Sequence, residues 1–376
     1  MTNVVFTRCA QPHLTARRIS TYTVLGLTSY AFANLACALL ANRWELSLGE
    51  RLVAFFTPAL AFIAVVAISK VLVGHERIVF YQTTVASVVC VIVLGLLIGA
   101  CIARLLDLVV VGIGIFLVFG RLGCHAVACC HGTLGRGVTY GPPHVAIGFW
   151  SRWSGRALWP VQLIEATASG ALVLVALAGS AEPGRAALIY ALGYAAVRFV
   201  LELFRGDGAR PYTLGLSQAQ WMAVATAIAC AVWRPSCVTG GLAAVLGTAA
   251  GALVLWRHRR ELLFPPHLFE LDRALHAAGD GQRHTTSLGV AVSCHILPDG
   301  RADSIFSSNH RCWSEAMVRR LAHQLWPAFE LVPGRMAGVL HVLIEPGKVG
   351  LSTPAPGTPP APDPAPPASA ALEHQR

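Results

Sequence analysis

The chain has 376 residues, of which 55% are hydrophobic and 13% charged, with a formal net charge of +10. A soluble domain typically carries about 25% charged residues, so these values and a mean hydropathy of +0.58 exclude an ordinary soluble protein and indicate an integral membrane protein. The basic residues are scattered at helix ends, which argues against nucleic acid as a partner and suits contact with anionic lipid phosphates.

Arg8, Arg17 and Arg18 precede the first apolar run. That run is too long for a signal-peptide core and has no evident small-x-small cleavage site, so it reads as a first span. A spanning helix needs roughly 20 apolar residues. Candidate runs fall at Tyr22–Ala41, Leu52–Ser69, Ile78–Ala103, Leu108–Gly120, Ala157–Ala181, Ala186–Phe204, Leu214–Trp233 and Val238–Trp256. The fourth is short and spans only by continuing past Arg121 or starting before Asp107. The expected fold is an all-α polytopic membrane protein of seven or eight transmembrane helices, with a small soluble α+β C-terminal domain and a disordered tail. The positive-inside rule places the N-terminus and the loops after even-numbered spans in the cytoplasm.

The boundaries read as 1–260 for the transmembrane domain, 261–348 for the soluble domain and 349–376 for the tail. Arg257-His258-Arg259-Arg260 closes the last span. Helical spacing over His267–Ala277 is followed by strand-like Ser287–Leu297, a Pro298-Asp299-Gly300 turn and a short strand at Ala302–Ser307. A helix over Trp313–Phe329, with Ala316, Val318, Leu321 and Leu325 inward, precedes a strand at Gly338–Ile344. This module is expected to fold alone and to be dispensable for chemistry in the membrane. His295, His310, Cys294 and Cys312 read as scattered structural residues. The Pro/Ala/Ser-rich tail has nothing to bury in a core.

Charges inside apolar stretches are costly and mark working sites. In Gly120-Arg121-Leu122-Gly123-Cys124, the glycines allow close backbone approach and a non-helical path at membrane depth. Arg121 offers either a forked donor to a phosphate or a loop arginine snorkelling to the interface. Pro160 suits a helix's first turn, and Gln162 and Glu165 then share one face. Glu165 serves equally as part of a structural ion pair or of a site. Tyr194, Arg198, Glu202 and Arg205 form one stripe of a single helix. An Arg–Glu pair within it leaves Arg205 without an assigned partner, a surplus that suggests an anionic ligand. Ser217 and Gln220 read as a capping box.

The eleven cysteines, odd in number and scattered, argue against a disulfide framework. Cys124, Cys129, Cys130 and His131 form a local cluster. Its C-x4-C-C-H spacing matches neither a standard zinc pattern nor c-type haem, and adjacent cysteines are awkward disulfide partners. The spacing therefore favours structural thiols, with no metal and no cofactor.

Four segments in this order resemble the prolipoprotein diacylglyceryl transferase family. They are Gly120-Arg121-Leu122-Gly123, Pro160-Val161-Gln162-Leu163-Ile164-Glu165-Ala166, Arg198-Phe199-Val200-Leu201-Glu202-Leu203-Phe204-Arg205 and Leu214-Gly215-Leu216-Ser217-Gln218-Ala219-Gln220. The resemblance covers roughly residues 20 to 235. It implies a multi-pass protein of the bacterial cytoplasmic (inner) membrane that moves a diacylglyceryl group from phosphatidylglycerol to a cysteine thiol of a lipoprotein precursor, releasing glycerol phosphate. On that reading Arg121, Glu202 and Arg205 are catalytic, and Arg198, Glu165, Gln162 and Tyr194 bind substrate.

The chain departs from the family in two places. Cys124-His125 stands where the family has Asn-Phe, and Phe80-Tyr81-Gln82-Thr83 stands where it has His-Gly-Gly. His75, His125 and His131 are the histidines left to act as a base. A diverged subset with a Gly-Cys…Cys-Cys segment is the closer resemblance. The alternative function is a non-enzymatic lipid- or metal-binding membrane protein on the same scaffold.

Overall fold

The structure is a computed structural model, and it describes residues 10–12, 20–73, 80–208, 210–257, 261–278 and 282–345. Arg8, Arg17, Arg18, His75, the basic residues 258–260 and the tail from 349 lie outside the described residues. Four helices come first: α1 (Thr21–Arg43), α2 (Leu48–Val73), α3 (Phe80–Leu97) and α4 (Ile102–Ala126). A connecting region holds β1 (Leu134–Thr139), α5 (Pro142–Val145), a 3-10 turn at Ser151–Trp153 and β2 (Ala157–Leu158). Then come α6 (Val161–Ala178), α7 (Arg185–Leu201), the short hairpin β3 (Tyr212–Thr213) and β4 (Leu216–Ser217), α8 (Gln218–Trp233) and α9 (Cys237–Arg257).

By length and composition, five of these helices can cross a membrane: α1, α2, α4, α6 and α9. Large apolar side chains such as Leu27, Leu60, Val71 and Leu255 face outward, as lipid contact demands. The fourth run is longer than its apolar part because α4 begins before Asp107 and continues past Arg121. Asp107 is accommodated by capping α7, accepting from the backbone N–H groups of Gly184 at 2.7 Å and Ala187 at 2.8 Å, where a carboxylate satisfies the helix's first amides.

α4 is the central helix, packed by α1, α2, α3, α6 and α7. The expected non-helical path at Gly120–Gly123 is not what forms. Helix continues through Ala126, and the glycine serves close approach instead. A Cβ on Gly123 would lie 3.0 Å from the Tyr22 ring and 3.5 Å from its Cα.

The C-terminal region comprises a 3-10 turn at Glu261–Leu263, α10 (Pro265–Ala277), β5 (His284–Thr285), β6 (Val290–Ile296), β7 (Ala302–Ser308), α11 (Glu315–Leu325), β8 (Glu330–Pro333) and β9 (Val339–Ile344). The strands form an antiparallel sheet of order β5-β6-β7-β9-β8. Val318, Leu321 and Leu325 are buried as expected, but Ala316 is exposed and Met317 and Ala322 take its place. The Ser314 N-cap fixes the start of α11, and from there Ala316 falls on the outer face.

This region shares its core with the connecting loop. Val138, Tyr140, Phe149, Trp150, Trp153 and Leu158 pack in one cluster with Leu268, Leu271, Phe306 and Leu321. Trp150 Nε1 and Arg152 Nε donate to Asp272 at 2.7 and 2.6 Å, and Trp153 Nε1 donates to the Gln324 carbonyl at 3.0 Å. The module expected to stand alone is thus welded to the segment between α4 and α6.

Candidate functional site

Three elements converge on one buried network of charges. Arg121 comes from the last turns of α4, Glu165 from the start of α6, and Tyr194 and Arg198 from α7. Glu202 follows at the C-cap of α7. Arg121, Glu165, Arg198, Glu202 and Arg205 are all buried.

Glu165 is the first hub. Arg121 Nε approaches its Oε2 to 2.9 Å, an ionic contact whose angle falls short of a hydrogen bond. Arg198 Nη1 donates to both its oxygens at 3.1 and 3.0 Å, and Tyr194 Oη donates to Oε1 at 2.7 Å. Glu202 is the second hub. It takes Arg198 Nη2 at 2.5 Å, Arg205 Nη1 at 3.4 Å, and Arg210. Asp207 binds Arg205 Nε at 2.9 Å and Arg210 Nε at 3.2 Å.

Two expectations change here. The stripe does not run along one helix, because α7 ends at Leu201 and Arg205 lies beyond it, bridged to Gly132 across the connecting loop. Nor does Arg205 lack a partner, since Glu202 and Asp207 both engage it. The surplus positive charge nevertheless persists, because Arg210 joins the network. Four guanidiniums face three carboxylates. Arg198 Nε and Arg210 Nη2 are buried with no hydrogen-bond partner among the described residues. Buried donors left this way are rare and call for an account.

Sequence reasoning missed Arg210, Asp207 and Tyr81. Arg210 and Asp207 lie just past the motif, in a loop whose spacing carries no period. Tyr81 interacts with Arg198; it lies in the Phe80–Thr83 segment, where the resemblance expects His-Gly-Gly, and that expectation was the available signal.

Gln162 is not in the charge network. Its Nε2 donates to the Cys129 carbonyl at 2.9 Å and to Tyr140 Oη at 3.2 Å, and Tyr140 Oη in turn lies 3.2 Å from His125 Nδ1. His131 packs its ring edge-on against Phe149 and Trp153, with Nδ1 3.0 Å from the Gly132 carbonyl. Ser217 and Gln220 form the expected capping box, and Gln220 Oε1 also accepts from Arg257 at 3.3 Å. His295, His310, Cys294 and Cys312 do not gather: His310 pairs with Glu261 at 2.8 Å.

A cleft of about 890 Å³ opens elsewhere, between the connecting loop and α11, lined by Trp153, Leu268, Arg319 and His323. It contains none of the network residues. Unlike this cleft, the buried network combines desolvated donors with excess charge among the described residues.

Residues 61–234 match the family model for prolipoprotein diacylglyceryl transferase, LGT. Over these residues the chain is similar to the prolipoprotein diacylglyceryl transferase family. No curated protein matches the chain. The matched span contains both carboxylate hubs and all four arginines, whereas the C-terminal sheet lies outside it.

Proposed function

We propose that this protein transfers a diacylglyceryl group from phosphatidylglycerol to the cysteine thiol of a lipoprotein precursor in the bacterial cytoplasmic membrane. The observation that carries this reading is the buried network with one guanidinium in excess and three buried donors that make no hydrogen bond among the described residues, Arg121 Nε, Arg198 Nε and Arg210 Nη2. A phosphodiester is a fitting occupant, since planar guanidiniums bind phosphate oxygens through forked donors. Arg121 and Arg205 would stabilise charge as it develops on the leaving glycerol phosphate. Arg198 and Tyr194 would position the lipid, with Glu165 and Glu202 holding the arginines in place. Gln162 would shape the loop beside the acceptor.

The domain reading accompanies this proposal: a membrane transferase-like domain over 1–260, a soluble domain over 261–348 and a tail over 349–376. α3, α7 and α8 would complete eight crossings. A second reading, a non-enzymatic lipid- or metal-binding protein, is favoured by the Phe80–Thr83 segment, which has no histidine where the resemblance expects His-Gly-Gly. Complementation of a strain depleted of its own transferase separates the two. Growth and lipidated lipoproteins support transfer; a stably inserted protein that restores neither supports the second reading.

A further inference from the structure

Three thiols meet just outside the charge network. Cys124 lies in the last turn of α4, Cys129 and Cys130 in the turn after it, and their Sγ atoms all lie within 4.8 Å of one another. No other group of three His, Cys, Asp or Glu side chains converges this way among the described residues. None of the three is in a disulfide.

The turn is bent to bring them together. Beyond the end of α4 at Ala126, Ala128 and Cys130 adopt left-handed φ angles of 58° and 53°. Such a conformation costs a side-chain-bearing residue roughly 1–3 kcal/mol. Two left-handed residues within three fold the chain back, so that cysteines five and six positions after α4's last thiol reach the same point. The Gln162 hydrogen bond to the Cys129 carbonyl pins this turn from α6.

The distances suit a metal. Metal–sulfur bonds of about 2.3 Å place three thiolates roughly 4 Å apart, a small closure from the separation observed. His131 does not complete the set, since its ring is held by Gly132, Phe149 and Trp153. Three protein ligands with one position left open is the arrangement of a catalytic rather than a structural site.

We propose that Cys124, Cys129 and Cys130 hold a soft divalent ion of the zinc type, and that its fourth position receives the thiol of the acceptor. Thiolate ligands select soft ions. This rests on the transferase reading above and supplies what that reading lacks, a means of deprotonating the acceptor without the family's histidine. A thiol that coordinates such an ion loses its proton outright; here the proton passes to water. The sulfur then forms a C–S bond to the glycerol carbon of the lipid. The C–O bond between that carbon and the phosphate breaks, and its electron pair leaves on glycerol phosphate, which takes a proton from water. Nothing is oxidised or reduced.

The placement suits this step. Arg121 precedes Cys124 by three residues on α4, so the two share a helix face. Arg205 is bridged to Gly132, two residues past Cys130. Phosphate-holding guanidiniums thus flank the thiols on both sides. The proposal departs from the structural-thiol expectation, which rested on a C-x4-C-C-H spacing that matches no standard metal pattern.

The test uses the full chain, purified in detergent without chelators. Zinc is measured by elemental mass spectrometry in the wild type, in Cys129→Ser/Cys130→Ser and in a Cys101→Ser control. Cobalt-loaded protein is then titrated with a short peptide carrying one cysteine, and with its serine counterpart. We expect about one zinc per chain in the wild type and control, and about tenfold less in the double variant. The cobalt–thiolate absorption should shift with the cysteine peptide alone. A wild-type protein that binds no zinc after supplementation overturns the proposal, as does a cobalt spectrum indifferent to the thiol. Both readouts decide even if the double variant misfolds, because they use wild-type protein. They are also independent of lipid transfer, so a metal-loaded, thiol-binding protein that transfers no lipid would sink the transferase reading alone.

Discussion

Arg198 donates through Nη1 to both carboxylate oxygens of Glu165, at 3.1 and 3.0 Å, and so joins α7 to α6. Glu165 also holds Arg121 of α4 at 2.9 Å, which makes one carboxylate the junction of three helices. Replacing it by Glu165→Gln leaves the buried Arg121 without its carboxylate partner and Arg198 with Glu202 alone. Breaking a buried pair this way costs about 3–5 kcal/mol. Thermal unfolding in detergent should show a clear fall in Tm, and Arg198→Lys should lower it too, because one ammonium cannot reach both Glu165 and Glu202 as Nη1 and Nη2 do. A Glu165→Gln variant as stable as wild type would contradict the junction.

Arg198→Ala and Arg205→Ala should each weaken phosphatidylglycerol binding. A charge-assisted hydrogen bond contributes about 1.5–3 kcal/mol, which corresponds to roughly 10–150-fold in affinity. Titration with lipid nanodiscs of stated composition measures this, with circular dichroism confirming that the helices persist. Unchanged affinity in both variants would remove the phosphate-holding role from this network.

Gly132 lies where the connecting loop meets Arg205. A Cβ there would fall 2.3 Å from the Trp159 carbonyl oxygen, a backbone atom that cannot swing aside. Gly132→Ala should therefore cost about 1–3 kcal/mol and displace the strand bridge to Arg205, lowering lipid affinity together with stability. Wild-type stability and binding would show that the loop tolerates the shift.

The C-terminal region docks through Asp272, and its docking should depend on pH. Burial would raise the Asp272 carboxyl, but the His276 hydrogen bond and the Arg152 charge outweigh it and hold the group below its ordinary 3.8. Its contribution is present above that value and is lost as pH falls through the depressed one. The Asp272 hydrogen bond raises His276 above its ordinary 6.5, so that contribution is full below 6.5 and fades as pH rises through the raised value. Docking to the loop should therefore weaken on the acid side through Asp272, whereas the His276 pair, internal to α10, supports the region itself; both are read from the fluorescence of Trp150 and Trp153 during thermal unfolding at several pH values. Truncation after Arg260 should expose these tryptophans and loosen the loop; fluorescence and affinity both unchanged on truncation would show the shared core to be inconsequential.

Much of the architecture was legible because apolar runs and caps act locally. The Ser217–Gln220 capping box and the strands β6, β7 and β9 follow directly from hydropathy and turn residues. β5 and β8 were not legible: they are short, and the sheet partners that stabilise them lie elsewhere in the chain. Arg121, Glu165 and Arg198 could be singled out because a charge in an apolar run needs a reason. Their shared partner could not, since the meeting of α4, α6 and α7 at Glu165 is set by packing. The convergence of Cys124, Cys129 and Cys130 was hidden by two left-handed residues that spacing does not reveal. The path of α4 through Gly120–Gly123 was misjudged because glycine permits both a break and a close contact, and Tyr22 decides between them.

The central claim is best tested in vitro. Purified protein is incubated with phosphatidylglycerol vesicles and a precursor peptide bearing a single cysteine, and the peptide is followed by mass spectrometry. The account predicts a diacylglyceryl adduct on the cysteine, with release of glycerol phosphate, reduced in Arg205→Ala and absent when phosphatidylcholine is the only lipid. A folded, lipid-binding wild-type protein that leaves the peptide unmodified would contradict it.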